Sequence, residues 1–204
     1  MSEQDTGLRA RLVDVGVELV TKEGLQALSL REIARRAGVS HGAPRRYFPT
    51  HLSLLSAIAR RGFEDLAARA TEAVAAGGPK EDPRAQLYVF GRVYLDFART
   101  DRGMYELMFR HDLLESGELG LRETSLPLYR TLVDLVGRAR AESGASSRNG
   151  TGAEPVVVAG ALWANLHGIA QLWGWGSLQL ATGGDDVGPL LRAALDAHLG
   201  PRTR

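Results

Sequence analysis

Apolar residues recur at three- and four-residue steps along almost the whole chain, and the alternation that marks half-buried strands is scarce. Steps of three and four line up side chains on one face of an α-helix, whereas a strand needs a step of two. An all-α protein is therefore expected. Leu8, Leu12, Val15 and Leu19 form a first stripe, which stops at Gly24. Leu30, Ile33, Ala34 and Ala37 form a second, shorter one. A third helix is expected from Ser40 to Tyr47 and a fourth from about His51 to Ala76. Gly77, Gly78 and Pro79, followed by Lys80 to Pro83, read as a connector. Leu87, Phe90, Tyr94 and Phe97 mark a further helix, and Met104, Leu107 and Met108 another. A helix over roughly 119–142 carries Pro127, which should kink or interrupt it. Ser143 to Ala153 reads as a mobile polar loop. Two last helices are expected at about 154–182 and 186–199, with Gly183 and Gly184 between them.

Composition narrows the chemistry. With 44% hydrophobic and 24% charged residues, the 204-residue chain has the balance of a soluble globular protein. It has no cysteine, which excludes disulfides and thiolate metal sites. The five histidines (41, 51, 111, 167 and 198) show no metal-ligand spacing. No metal and no cofactor are expected. The first residues are charged and lack an apolar run, so a signal or transit peptide is not expected and the cytoplasm is the default. Residues 1–61 carry ten Lys/Arg against six Asp/Glu, and the remainder fifteen against eighteen. A basic head on a mildly acidic body suits a phosphate-contacting module carried by a larger domain.

The stretch Ser29 to Leu55 carries the functional signal. Ser29 with Glu32 has the S-x-x-E form of a capping box. Gly38 can take the left-handed conformation that reverses a chain at a helix end. Val39 would then tuck between two helices, and Ser40 would cap the next one. A short helix, a glycine turn and a second short helix make a helix-turn-helix, here over about 29–48. In the second helix, His41, Arg45, Arg46 and Tyr47 offer donors and a ring, with Pro44 in the first turn and Phe48 as the inward anchor. Guanidinium groups suit guanine edges or phosphates, and the Ser40 and Tyr47 hydroxyls suit phosphate oxygens. Thr50 can cap the fourth helix, whose first amides can hold a phosphate. Arg35 and Arg36 are expected to face solvent, with a contact to the DNA backbone as the alternative.

This segment resembles the N-terminal domain of the TetR (tetracycline repressor) family: a first helix, then a pattern like Leu30-Arg-Glu-Ile-Ala-Arg-Arg-Ala37-Gly38-Val39-Ser40, a short helix ending Tyr47-Phe48, and a proline-led fourth helix. Residues 8–60 keep the spacing. The resemblance implies that the third helix enters the major groove and the start of the fourth grips the backbone. Ser40, His41, Arg45, Arg46 and Tyr47 become DNA-reading candidates, and Thr50 and His51 phosphate candidates. Arg45 stands where the family commonly has tyrosine, and His51 where it commonly has lysine. Farther on, Tyr94, Phe97 and Ala98, then Gly103 to Phe109, then Trp163 with His167 and Gly168 resemble the subgroup whose C-terminal domain is named for its Trp-His-Gly signature. Ser40-His41 followed by Pro44 fits it too.

Between Glu154 and Asp185 there is no charged residue. Such a stretch exceeds the roughly 18 residues of a membrane span. Asn165, His167, Gln171 and several glycines point instead to a helix buried on two sides, one of them against a partner subunit. A homodimer through the last two helices is expected, in agreement with what the resemblance implies. A pocket for an unknown small-molecule effector is sought among Phe97, Met104, Met108, Trp163, His167 and Trp173. Aromatic and methionine walls with one imidazole suit a mostly apolar ligand with one polar group, although such a stripe also serves as ordinary core.

The expected organisation is a DNA-binding domain over 1–50 and a helical ligand-binding and dimerisation domain over 51–204. The expected activity is that of a regulator, a repressor released from a palindromic DNA operator by its effector. A helix-turn-helix protein acting through a protein partner is the alternative, with a small all-α enzyme behind it. No phosphate-cradling glycine loop, nucleophile elbow or His-Glu-x-x-His supports catalysis.

Overall fold

The structure, a computed structural model, describes residues 3–78, 82–115, 117, 120–142 and 153–200. Among these, all regular structure is helical: α1 (Glu3–Glu23), a 3-10 turn (Leu25–Ala27), α2 (Leu30–Arg36), α3 (Pro44–Tyr47), α4 (His51–Ala76), α5 (Pro83–Thr100), α6 (Arg102–Met108), α7 (His111–Glu115), α8 (Leu121–Glu142), α9 (Pro155–Gly174), α10 (Ser177–Thr182) and α11 (Gly188–Leu199). The chain divides into two compact units, one made of the residues up to Asp65 with Asp101–Ser125, the other of Leu66–Thr100 with the residues from Leu126 onward.

In the first unit, Leu12, Leu19 and Ile33 are wholly buried, together with Leu54, Leu55 and Ile58 of α4 and Leu107 and Met108 of α6. Glycines let the helix backbones come close. A Cβ at Gly16 of α1 would collide with Ile58 of α4. One at Gly103 of α6 would lie 2.5 Å from the Val20 carbonyl oxygen of α1, and one at Gly62 would lie 2.6 Å from the Met108 sulfur. At Gly103 the atoms met are backbone, so an added methyl group would push α6 from α1, whereas at Gly16 and Gly62 they belong to the side chains of Ile58, Met104 and Met108, which would have to repack. Phe63 and Phe109 meet edge to face, 5.7 Å between centroids.

In the second unit α9 packs against α5, α10 and α11, and α5 also packs against α11. The Arg84 guanidinium of α5 donates to the Gly200 carbonyl at 2.7 Å and pairs with Asp196 of α11. Arg138 of α8 donates to Gln86 of α5 at 2.9 Å. The Tyr129 hydroxyl of α8 donates to the Val156 carbonyl at 2.7 Å, tying the start of α9 down. α9 is long and apolar enough to cross a bilayer. Its Leu162, Leu166 and Ile169 are buried, however, and His167 bonds to Tyr94 of α5.

Several expectations need correction. The third helix starts at Pro44 rather than Ser40, because Pro44 has no amide to give to the Ser40 carbonyl; that carbonyl takes the Ala43 amide at 3.0 Å in a turn. Ser40 therefore does not cap α3, whose N-cap residue is Ala43, with no side-chain bond. Pro127 does not interrupt α8, which runs on through it. The expected helix over 154–182 breaks after Gly174, where Gly176 adopts a φ of 77° and starts the separate α10. Of the expected loop at 143–153, residues 143–152 lie outside the described residues.

Candidate DNA interface

α2 begins as its sequence predicts, the Ser29 hydroxyl accepting the Glu32 amide at 3.2 Å. The reciprocal half of the capping box is absent. The Glu32 carboxylate instead accepts from Nε and Nη2 of Arg35 (2.9 and 2.6 Å) and from Nε of Arg36 (2.7 Å). Hydrogen bonds from Arg35 and then Arg36 hold its pKa down at about 2. Arg36 also pairs with Glu23 at 2.7 Å.

The turn that follows is a Schellman motif. The Val39 amide donates to Ala34 at 3.0 Å, the Gly38 amide to Arg35 at 3.2 Å, and Gly38 has a φ of 67°. Val39 is half-buried, as a residue in the corner between two helices should be.

α3 presents two faces. Pro44 and Phe48, four residues apart, are both buried, and Phe48 is 2% exposed. Burying a phenylalanine contributes roughly 1.5–3 kcal/mol, which seats this very short helix by its inner side. Ser40, His41, Arg45 and Arg46 are all exposed, and Tyr47 is half-buried. Neither Arg45 nor Arg46 makes an ion pair among the described residues. Two guanidinium groups thus project from a firmly seated helix without an internal carboxylate.

At the start of α4 Thr50 and Ser53 cap each other. The Ser53 amide donates to the Thr50 hydroxyl at 2.9 Å and the Thr50 amide to the Ser53 hydroxyl at 3.2 Å. The Ser53 hydroxyl donates to the Thr50 carbonyl at 2.8 Å. The amides of His51 and Leu52 fall in the first turn, where a helix offers its donors and positive dipole end outward. His51 is exposed. Sequence reasoning found Thr50 but not Ser53, which the T-x-x-S spacing could have disclosed.

The six effector candidates do not share one environment. Met104 and Met108 fill the first unit's core against Gly62. Phe97 is buried in the second unit with the Arg69 guanidinium 5.2 Å over its ring. Trp163 and His167 are neighbours there, 6.1 Å between centroids. Trp173 is ten residues beyond Trp163, about 15 Å along the helix. Two residues join the group that sequence reasoning did not name for it. The Tyr94 hydroxyl lies 2.9 Å from His167 Nδ1, and the Tyr129 ring meets Trp163 edge to face at 6.4 Å. Tyr94, three residues before Phe97, was available from helical spacing. Burial holds the His167 pKa below its ordinary value, favouring the neutral ring. No group of metal-ligating side chains occurs among the described residues.

Known proteins resemble this chain over both regions. Residues 12–58 match the family described as bacterial regulatory proteins, tetR family, and residues 87–198 match a tetracyclin repressor-like C-terminal domain. The HTH-type transcriptional repressor KstR of Mycolicibacterium smegmatis is 36% identical over 77 residues, 38% of each chain. The match thus spans well under two thirds of that relative. A protein of unknown function from Rhodococcus sp. RHA1 has a similar structure, with a TM-score of 0.68 and 28% identity over 94% of this chain and 93% of that one. A regulator from Streptomyces coelicolor has a TM-score of 0.61 and 25% identity over 95% and 98%.

Proposed function

Because the chain belongs to the TetR family of bacterial regulatory proteins, we propose that it is a repressor that leaves a palindromic operator when a small molecule binds its body. It is a TetR-like DNA-binding transcriptional regulator, with a helix-turn-helix head and a helical C-terminal domain. The mechanism is a two-state equilibrium: the effector binds better to the state whose heads are wrongly spaced for two half-sites, and DNA affinity falls. The related KstR is named a repressor, which supports repression here.

The observation that carries this reading is α3 itself, buried through Pro44 and Phe48 with Arg45 and Arg46 exposed and unneutralised. Ser40, His41, Arg45, Arg46 and Tyr47 read the major groove. Thr50 and His51 hold a phosphate at the start of α4. The DNA-binding domain is residues 1–50, and residues 51–204 bind effector and dimerise. Within the body, Trp163, His167 and Gly168 support membership of the Trp-His-Gly subgroup. An aromatic wall with a neutral imidazole suits an apolar effector carrying a single polar group, with Phe97, Trp163 and His167 as first contacts. The protein works as a cytoplasmic homodimer and not as an enzyme. Val156, Val157, Trp163, Leu172, Trp175 and Leu180 are large apolar residues left exposed between 156 and 180, which fits a seam between subunits rather than a membrane span.

The test is a footprint of the purified protein on the DNA upstream of its own gene. A twofold-symmetric protected site is expected, with half-sites about 34–36 Å apart or a multiple of that. A protein that folds and dimerises but shows no salt-dependent DNA affinity would instead act through a protein partner.

A further inference from the structure

The cations of the first unit separate by what they touch. Arg35 and Arg36 are engaged by Glu32 and Glu23, and Arg61 lies 3.5 Å from Asp14. Arg9 of α1 is exposed and has no carboxylate partner among the described residues. Its guanidinium lies over the ring of Phe48, 5.2 Å from the centroid. Phe48 is the residue that ends α3, and two residues later Thr50 opens α4. A cation seated in this way stands beside the junction of the two segments that the DNA reading uses.

The geometry of the seat determines what Arg9 can do. A cation over a ring face is attracted to it without spending an N–H donor on a protein acceptor. The contact also restricts a long side chain whose freedom would otherwise oppose binding. Among the described residues no acceptor takes its N–H donors, which form a planar fork that matches two oxygens of one phosphate. Among the described residues no carboxylate pairs with it, in contrast to Arg35, Arg36 and Arg61.

We propose that Arg9, seated on Phe48, is a further DNA contact, made by α1 to a backbone phosphate next to those held at the start of α4. It carries no base information. Because Phe48 anchors α3 on one side and supports Arg9 on the other, the contact positions the reading helix relative to the backbone. The proposal rests on α3 and α4 forming the DNA surface. Arg11 serves as an internal control: it is exposed and among the described residues has neither a carboxylate partner nor an aromatic seat, and it lies about 200° round the helix from Arg9.

The experiment measures affinity against salt concentration for the full-length protein, on the footprinted operator and on random duplex of equal length. Arg9→Met keeps an apolar cover on Phe48 and removes the fork, and Arg9→Gln repeats the test with a polar side chain. Each is expected to weaken binding to both DNAs by about tenfold and to flatten the slope of log affinity against log salt by about 0.9, the value of one phosphate. Arg11→Met is expected to leave affinity within about twofold and the slope unchanged. An unchanged slope in both Arg9 variants overturns the contact even if affinity falls, since that fall would come from disturbed packing under α3. An equal effect of Arg11→Met overturns it too, since overall charge would then suffice. A wild-type protein without salt-dependent DNA affinity would sink the DNA reading as a whole; normal wild-type binding with unaltered Arg9 variants sinks this contact alone.

Discussion

Of the chain's three Arg-Arg pairs, 35/36 and 45/46 lie one turn motif apart and have opposite fates. Arg35 and Arg36 end α2, one turn beyond Glu32, and spend their donors on it and on Glu23. Arg45 and Arg46 lie in α3, where no carboxylate is within reach among the described residues. As dipeptides the two pairs are identical. What separates them is Glu32, three and four positions upstream at the spacing where helical side chains meet, joined at Arg36 by Glu23 of α1. A basic residue near a helix-turn-helix is therefore a DNA candidate only after its internal partners have been counted.

The largest effect should come from removing the seat that aims the second pair. Phe48→Ala deletes a ring that is 2% exposed and is expected to cost about 3–5 kcal/mol of folding stability, measured by urea unfolding. A cost below about 1 kcal/mol would mean that α3 is held by something else. Next in size is the direct comparison of the pairs. Arg45→Ala and Arg46→Ala should each weaken operator binding by about 1–3 kcal/mol in a gel-shift titration if they reach base edges. Arg35→Ala and Arg36→Ala should change it by less than about 0.5 kcal/mol, as exposed ion pairs usually do. Equal losses in the two sets would mean that internal neutralisation does not decide which pair meets DNA.

Glu32→Gln sharpens the comparison by making the α2 pair more like the α3 pair. It should tighten binding to random duplex a few-fold and steepen the salt slope by up to about one unit. An unchanged slope would show that neutralisation is not what keeps α2 out of DNA binding. The smallest effect is on pH dependence. The Glu32 pKa is about 2 in the folded chain, against an ordinary value of 4.5. The unfolded state takes up its proton first, so the contribution of Glu32 to stability is complete above about pH 4.5 and is lost as pH falls through about 2. The difference in thermal midpoint between wild type and Glu32→Gln should shrink over that window and should also shrink in high salt.

Much of this architecture could be read in advance, and the residues show why. The span of α4, the Ser29 and Thr50 caps and the Gly38 reversal are local: each depends on side chains within a few positions, so their chemistry is visible in a short window. Where the sequence reading went astray, a backbone amide or an unanticipated turn was involved. Pro44 withheld the bond that would have extended α3 to Ser40, and Gly176 divided a helix that composition alone made continuous. The effector residues were the least legible. Met104 and Met108 share an apolar character with Phe97 and Trp163, yet they pack into the other unit, against a glycine more than forty positions away.

By itself the sequence determined an all-helical chain, the helix-turn-helix and the family to which it belongs, because periodicity, caps and glycine turns are short-range physics. Only the tertiary structure decided that Glu23 reaches Arg36, that Arg9 lies over Phe48, and that Tyr94 meets His167 seventy-three residues away. The reason is distance along the chain. Ion pairing, stacking and burial depend on which groups folding brings together, and no local pattern encodes that for residues so far apart.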